Sequence, residues 1–253
     1  MKYTVITGAS SGIGYETALA FAARGKNLII AARRTEELEH LKSNVLSMYP
    51  DLDVIVFTVD LSITSNAHDF YESLKNYEIE TWINNAGFGN FASVGEQNLY
   101  KIETMLHLNI EALTVLSSLY VRDYANVEGT QLINISSGGG YTIVADAVTY
   151  CASKFYVSAF TEGLAQELKN KGQAMQAKVL APAATETEFA KRSMDLEEFE
   201  YEGAMPKYHT AKEMAGFLIS LYDSEKVVGI VDGETYDFHL KDPIYPYVSR
   251  QKN

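Results

Sequence analysis

YTVITGASSGIG, residues 3–14, is the stretch from which the rest of this chain can be read. Tyr3 to Ile6 are β-branched or aromatic, as a buried strand requires. They run straight into Thr7-Gly8-Ala9-Ser10-Ser11-Gly12-Ile13-Gly14 and then into an alanine-rich helical stretch. Strand, glycine turn and helix in that order point backbone N–H groups at whatever lies over the turn, an arrangement that suits a phosphate. Gly8 makes the tight turn, Gly12 lets the backbone approach a pyrophosphate, and Gly14 lets the helix pack closely on the strand. The spacing is GxxxGxG rather than GxGxxG, and a glycine-rich turn that binds nothing would look the same, so the flanking chain has to carry the argument.

Downstream, Asn27 to Ala32 reads as a second strand and ends about 18 residues past Gly14. Dinucleotide folds commonly place a carboxylate there, on the adenosine ribose. This chain has Ala32 instead, followed by Arg33 and Arg34. Two guanidinium groups can bind a ribose 2′-phosphate through charge-assisted hydrogen bonds, with Ser10 and Ser11 as further contacts, so the pattern predicts NADP over NAD. The bland alternative is a solvated helix start. Leu38, Leu41, Val45 and Met48 then follow at helical spacing, and Val54 to Val59 forms a third strand closing on Asp60-Leu61. A helix with Ala67, Phe70 and Leu74 on one face leads to a fourth strand, Thr81-Trp82-Ile83, and to Asn84-Asn85-Ala86-Gly87, whose small residues let backbone pass near a ligand. This βαβα rhythm predicts a doubly wound α/β domain with a mostly parallel sheet.

Later, Tyr150-Cys151-Ala152-Ser153-Lys154 sets a phenol and an ammonium four residues apart, on one face of a helix. A neighbouring ammonium favours phenolate, so the pair is an acid/base device in outline. Ser137, thirteen residues upstream, can add a hydroxyl beside the same reacting oxygen. Taken together, TGxxxGxG, Asp60-Leu61, Asn84-Asn85-Ala86-Gly87 and a serine followed by YxxxK occur in the order that resembles the short-chain dehydrogenase/reductase family, from residue 3 to about residue 187.

That resemblance implies several roles. Asn109, inside the long helical pattern 96–125, matches the family's catalytic asparagine, at a kink that holds a water in the proton relay. Ser137 rather than Ser136 matches the family serine. Tyr150 is the proton donor, and Lys154 both acidifies the phenol and holds the nicotinamide ribose. Gly8, Ser10, Ser11, Gly12, Ile13, Gly14, Arg33, Arg34, Asp60, Leu61, Asn85, Ala86, Gly87, Tyr150, Lys154, Pro182, Thr185 and Thr187 are the expected cofactor contacts, with Thr187 on the nicotinamide carboxamide or simply capping the next helix. Relatives carry glycine after the proline, so Ala183 predicts a strained or reshaped turn. Residues 188–209, aperiodic and rich in acids and aromatics, match a substrate-covering segment, or else form a solvated acidic excursion. The implied strand order is 3-2-1-4-5-6-7.

Composition narrows the partners. The 253 residues carry 21 basic and 33 acidic side chains, net charge -12, which repels nucleic acid and anionic lipid. No run approaches the ~20 apolar residues of a membrane span. The opening MKYTVITG is strand-like at once and does not read as a signal peptide, and a lone cysteine, Cys151, fits a reducing compartment. No metal site is expected. His107 reads as a surface or interface histidine, and Cys151 as a packed small hydrophobe.

Residues 1–253 thus predict one cytoplasmic oxidoreductase domain, moving a hydride between NADP(H) and a small carbonyl or alcohol and working as a carbonyl reductase. It is expected to be a homodimer or homotetramer, because the helices near 96–125 and 150–170 carry more apolar surface than one sheet face covers and relatives associate through them. A nucleotide-binding redox sensor without turnover, and an isomerase or dehydratase using bound cofactor, remain the alternatives.

Overall fold

Each strand-and-helix pair read from the sequence forms in the computed structural model, which describes residues 1–249. Residues 250–253 of the expected domain lie outside the described residues. The first half runs β1 (Lys2–Thr7), α1 (Gly12–Ala22), β2 (Asn27–Ala32), α2 (Thr35–Met48), β3 (Val54–Thr58), α3 (Thr64–Ser73), β4 (Glu78–Asn84), α4 (Leu99–Leu106), α5 (Leu113–Tyr124) and β5 (Gln131–Ile135). The second half runs α6 (Val148–Asn170), β6 (Gln176–Ala181), β7 (Thr185–Glu186), α7 (Phe189–Ser193), α8 (Tyr201–Ala204), β8 (His209–Thr210), α9 (Ala211–Asp223), β9 (Val228–Val231) and β10 (Phe238–Lys241).

The eight-stranded sheet has the order β10-β9-β6-β5-β4-β1-β2-β3, while β7 and β8 pair separately. From β3 to β9 every neighbour is parallel and the order is the expected one. β10 adds an antiparallel edge that the tail's sequence does not announce. The chain reverses direction of travel across the sheet between β1 and β4, so a crevice opens there at the carboxyl ends of the strands.

Alternation along the strands sorts the core into two layers. Ile6, Leu28, Ile30, Ile83, Ile133 and Leu180 face the helices of one side, with Phe21, Leu38 and Leu218. Val5, Ile29, Ala31, Trp82 and Leu132 face the other, with Phe70, Leu116, Tyr120 and Leu168. The sheet's buried centre also holds a paired polar network. Asn84 Nδ2 donates to Ser117 Oγ and Asn134 Oδ1, and Asn134 Nδ2 donates to Thr161 Oγ1, knitting β4, β5, α5 and α6 together. Lys178 on β6 is 1% exposed, and its Nζ donates to the carbonyls of Leu221, Tyr222 and Ser224 at the end of α9. A cation there meets the negative end of the helix dipole.

Four expectations change. The long helix over 96–125 is broken into α4, a π turn at His107–Ala112 and α5, with Asn109 inside the turn. Met48 is 52% exposed rather than part of the apolar stripe, because α2 ends there and the chain turns away. Ala183 is absent from the residues with positive φ, so alanine meets no strain in this turn. The aperiodic segment 188–209 contains α7 and the brief α8, in which Glu202 and Gly203 already leave helical dihedrals.

Candidate active site

The turn after β1 builds one wall of the crevice. Gly8 and Gly12 have φ of 68° and 57°, a region costly for any other residue. A Cβ on Gly14 would lie 2.4 Å from Asn85 Nδ2 and 2.5 Å from Gly8 O, so Gly14 is there for packing and does not face the cavity. The turn is fastened to β4: Asn85 Nδ2 donates to the carbonyls of Thr7 and Gly8, and Thr7 Oγ1 accepts from the amides of Asn85 and Ala86.

A continuous cavity of about 1490 Å³ runs along this edge. That exceeds the ~300–1,000 Å³ of a site for one drug-sized ligand and leaves room for a dinucleotide with a substrate beside it. The residues fit such a cofactor. Helix α1 opens onto the cavity through Gly12 and Ile13, and its N-cap Ser11 makes no side-chain cap bond, so the helix's first amides are left for an anion. Ser10, Ser11, Arg33, Arg34, Asp60 and Leu61 line the cavity, as do Asn85, Ala86, Gly87, Pro182, Thr185 and Thr187. Thr187 Oγ1 accepts from Phe189 N, the first amide of α7, whose N-cap is Glu188. Asp60 accepts from the Ser62 amide and hydroxyl.

Tyr150, Lys154 and Ser137 meet in the same cavity. Helix α6 begins at Val148, two residues earlier than the sequence suggests, which puts Tyr150 and Lys154 in its first two turns. Lys154 Nζ stands 5.9 Å from the centroid of the Tyr150 ring and donates to Ile135 O at 2.9 Å. The two serines of the β5 loop separate cleanly. Ser136 Oγ is taken up by Lys154 O at 2.9 Å and Ser158 Oγ at 2.7 Å, while Ser137 Oγ accepts from Gly139 N at 3.0 Å. The glycines that follow serve packing more than openness. A Cβ on Gly140 would lie 2.3 Å from Ser136 Oγ and 2.7 Å from Lys154 O, so only glycine lets this turn lie against α6.

Burial dominates the electrostatics. It pushes the Tyr150 phenol above the ordinary tyrosine value, with hydrogen bonding by Ser137 pulling the other way. The acidified phenol expected from the YxxxK spacing is thus not what the protein alone holds, since desolvation penalises phenolate. Burial also brings Lys154 down to about 8, which leaves it mostly ammonium at neutral pH.

Asn109 sits behind the cavity rather than on its wall. Its side chain brackets the Phe88 backbone, with Oδ1 accepting from Phe88 N at 3.2 Å and Nδ2 donating to Phe88 O at 2.9 Å and to Ser153 Oγ at 3.2 Å. Ser153 Oγ donates in turn to Tyr150 O at 2.7 Å.

Aromatic residues close around the phenol. Phe91 and Phe189 pack on the Tyr150 ring at centroid distances of 6.4 and 5.5 Å, and Phe88 joins them. Cys151 is fully buried in this cluster, as a small hydrophobe should be. Tyr141 lines the cavity, yet its hydroxyl donates to Glu162 Oε1 at 2.6 Å and its ring stacks on Tyr245 from the tail. Glu162, 1% exposed, also accepts from the amides of Ile244 and Tyr245, and Tyr245 Oη donates to Gly140 O. No such clasp is visible in the chain's periodicity. His107 is half-buried and pairs with Glu111. Among the described residues no helix is long and apolar enough to cross a membrane, and no three His, Cys, Asp or Glu side chains cluster as metal ligands.

Comparison with known proteins agrees with this geometry. The family model described as short chain dehydrogenase matches residues 2–198. An uncharacterised oxidoreductase of Mycobacterium tuberculosis is 32% identical over 193 residues, covering 75% of each chain. The human dehydrogenase/reductase SDR family member 11 is 29% identical over 201 residues, covering 77% of each. Among solved structures, a short-chain dehydrogenase from Sphingobium yanoikuyae in complex with NADPH superposes with TM-score 0.84 at 27% identity, covering 93% of this chain and 89% of that one. A bulky-bulky ketone specific alcohol dehydrogenase from Comamonas testosteroni gives 0.79 at 27%, covering 91% and 86%. A family member from Burkholderia phymatum in complex with NAD, 20% identical, gives 0.80 over 90% and 88%, a likeness of fold.

Proposed function

Because this chain belongs to the short-chain dehydrogenase/reductase family of oxidoreductases, we propose that it is an NADP-dependent reductase of apolar aldehydes or ketones. The observation that carries this reading is that Tyr150, Ser137 and Lys154 share one continuous cavity with Arg33 and Arg34. Bound along that cavity, NADPH supplies the hydride. Tyr150 gives its phenolic proton to the carbonyl oxygen, and a phenol kept protonated by burial suits the reductive direction at neutral pH. Ser137 hydrogen-bonds the same oxygen and orients it. Lys154, ammonium at neutral pH, holds the ribose hydroxyls and favours the phenolate left behind. Asn109 fixes the Phe88 backbone and, through Ser153, the Tyr150 carbonyl, and its π turn is the place for the water of the proton relay.

Arg33 and Arg34 favour the 2′-phosphate, and the NADPH bound by the Sphingobium relative supports that choice. For substrate, Phe88, Phe91 and Phe189 around Tyr150 make an apolar wall, in keeping with the bulky ketones named for the Comamonas relative. Segment 188–209 covers that wall. The test is NADPH oxidation with a panel of aliphatic and aromatic aldehydes and ketones, with product identified. Turnover of apolar members supports the reading, whereas tight NADPH binding with no turnover favours a sensor. The enzyme is a homodimer or homotetramer through the α5 and α6 faces, with Val148 and Tyr156 of α6 exposed. Light scattering that gave a 28.1 kDa particle at micromolar concentration would remove that part.

A further inference from the structure

The end of β2, where the 2′-phosphate is expected, already touches a carboxylate. Arg34 Nη2 donates to Ser11 Oγ at 2.7 Å, to Ser10 Oγ at 3.2 Å and to Glu188 Oε2 at 3.0 Å. Glu188 comes from the other side of the cavity, immediately before α7, and the same Oε2 accepts from Arg192 Nη2 at 2.7 Å. Against burial, which raises it, the charges of Arg192 and Arg34 hold the Glu188 carboxyl below the usual glutamate range. Two guanidinium groups, of Arg34 and Arg192, thus contact one carboxylate, and Arg192 also feels the charge of Arg33. Arg33 makes no side-chain hydrogen bond among the described residues.

We infer that Glu188 is a specificity-determining residue for the dinucleotide: it competes with the 2′-phosphate for Arg34, so that binding of the phosphate releases the start of segment 188–209. The inference rests on the NADP reading of this cavity. A phosphate offers the geometry of the carboxylate with more charge and a third oxygen, and the arginine cluster can turn from one to the other without losing its partner. An adenosine lacking the 2′-phosphate has nothing to exchange for Glu188. The consequence reaches the chemistry, because Phe189, the next residue, packs on the Tyr150 ring. The far end of α7 is tied separately: Lys101 Nζ donates to Asp195 Oδ1 and to the Arg192 carbonyl, so release at Glu188 turns α7 about a fixed end.

The experiment uses the full chain, wild type and Glu188→Gln, with Glu197→Gln as a control that removes the same charge from an exposed position on the same segment. Calorimetry measures adenosine 2′,5′-bisphosphate against adenosine 5′-monophosphate, which differ by the phosphate in question. Trypsin cleavage after Lys191 and Arg192 reports release of α7. Glu188→Gln should raise the preference for the bisphosphate about tenfold, the scale of one exposed charge-assisted contact. Glu197→Gln should leave that preference unchanged. In the wild type, cleavage should quicken with the bisphosphate and not with the monophosphate, and in Glu188→Gln it should be quick without ligand. A wild type that discriminates the two nucleotides, with a Glu188→Gln variant no different in preference or cleavage, overturns the competition and leaves the NADP reading standing. If neither protein discriminates, both fall. A changed preference in both glutamine variants with unchanged cleavage also overturns it, since a general field effect then accounts for the affinity.

Discussion

Glu162 offers a test of how the tail supports the active site. Its carboxylate accepts from Tyr141 Oη at 2.6 Å, Ile244 N at 2.5 Å and Tyr245 N at 2.8 Å, and the residue is buried. In Glu162→Ala, two tail amides lose a carboxylate acceptor worth roughly 1.5–3 kcal/mol each. The sum, roughly 3–6 kcal/mol, exceeds what an exposed terminal strap is expected to hold in reserve, so the tail should open while the sheet stays folded. Two decades of exchange protection correspond to about 2.8 kcal/mol, so protection at Ile244 and Tyr245 should fall by about a hundredfold or more. Glu162→Gln should fall much less, about tenfold, because the amide oxygen can take both tail N–H groups while its NH₂ donates to Tyr141 Oη. Opening also frees Tyr245 Oη from Gly140 O, slackening the turn that follows Ser137, so kcat should drop in the alanine variant with the KM for cofactor little changed. Amide exchange by mass spectrometry and steady-state kinetics read the two effects. Unaltered protection at 244–245 in Glu162→Ala would refute the clasp, and a released tail with full kcat would refute its bearing on Ser137.

Three further outcomes are expected. Tyr150→Phe should bind NADPH within a few-fold of wild type by fluorescence titration and lose most turnover, while Lys154→Ala should weaken both, and near-normal rates in Tyr150→Phe would remove the phenol from the mechanism. Arg33→Ala should cost about ten- to a hundredfold in the ratio of kcat/KM for NADPH over NADH, one charge-assisted contact, and Ala32→Asp should push the ratio towards NADH; an unchanged ratio in both would show that the 2′-phosphate is not read here. Burial brings Lys178 from 10.5 down to about 8, so between those values the unfolded chain binds more protons and stability due to this group rises with pH. Thermal melts between about pH 7.5 and 9.5, below the onset of tyrosine titration, should show the wild type gaining on Lys178→Met, and a constant gap would refute the assignment.

The sequence spoke most clearly where chemistry and periodicity coincide. Gly8 and Gly14 could be assigned separate duties because a tight turn and a close packing contact each need a missing Cβ, and Gly8 has a positive φ while a Cβ on Gly14 would run into Asn85 and Gly8. The order of the parallel strands followed from resemblance. Other features left no local trace. The π turn at Asn109 sits in an unbroken helical pattern, since one extra residue in a turn leaves the polar and apolar spacing almost unchanged. Glu188 reads as one more acid before an acidic segment, and its meeting with Arg34 depends on two elements 154 residues apart. The raised phenol escaped for a related reason: spacing shows that Lys154 lies one turn away, but burial, which decides the direction, is a property of the assembled cavity.

Helix α6 shows how these parts act together. Tyr150, Lys154, Ser158 and Glu162 fall at intervals of four, a polar stripe on a helix that is buried where an apolar one would be expected. Each member is engaged in turn: the phenol faces the cavity, Lys154 holds Ile135 O, Ser158 meets Ser136, and Glu162 holds Tyr141 and the tail. The contacts of Lys154 with Ile135, of Ser158 with Ser136 and of Glu162 with Tyr141 reach the end of β5 or the loop that carries Ser137. A buried polar group is unfavourable unless it is paired, and pairing Lys154, Ser158 and Glu162 to the end of β5 and its loop fixes that loop relative to Tyr150. The same interactions that make the stripe tolerable in the core therefore set the distance between the proton donor and the serine that shares its oxygen.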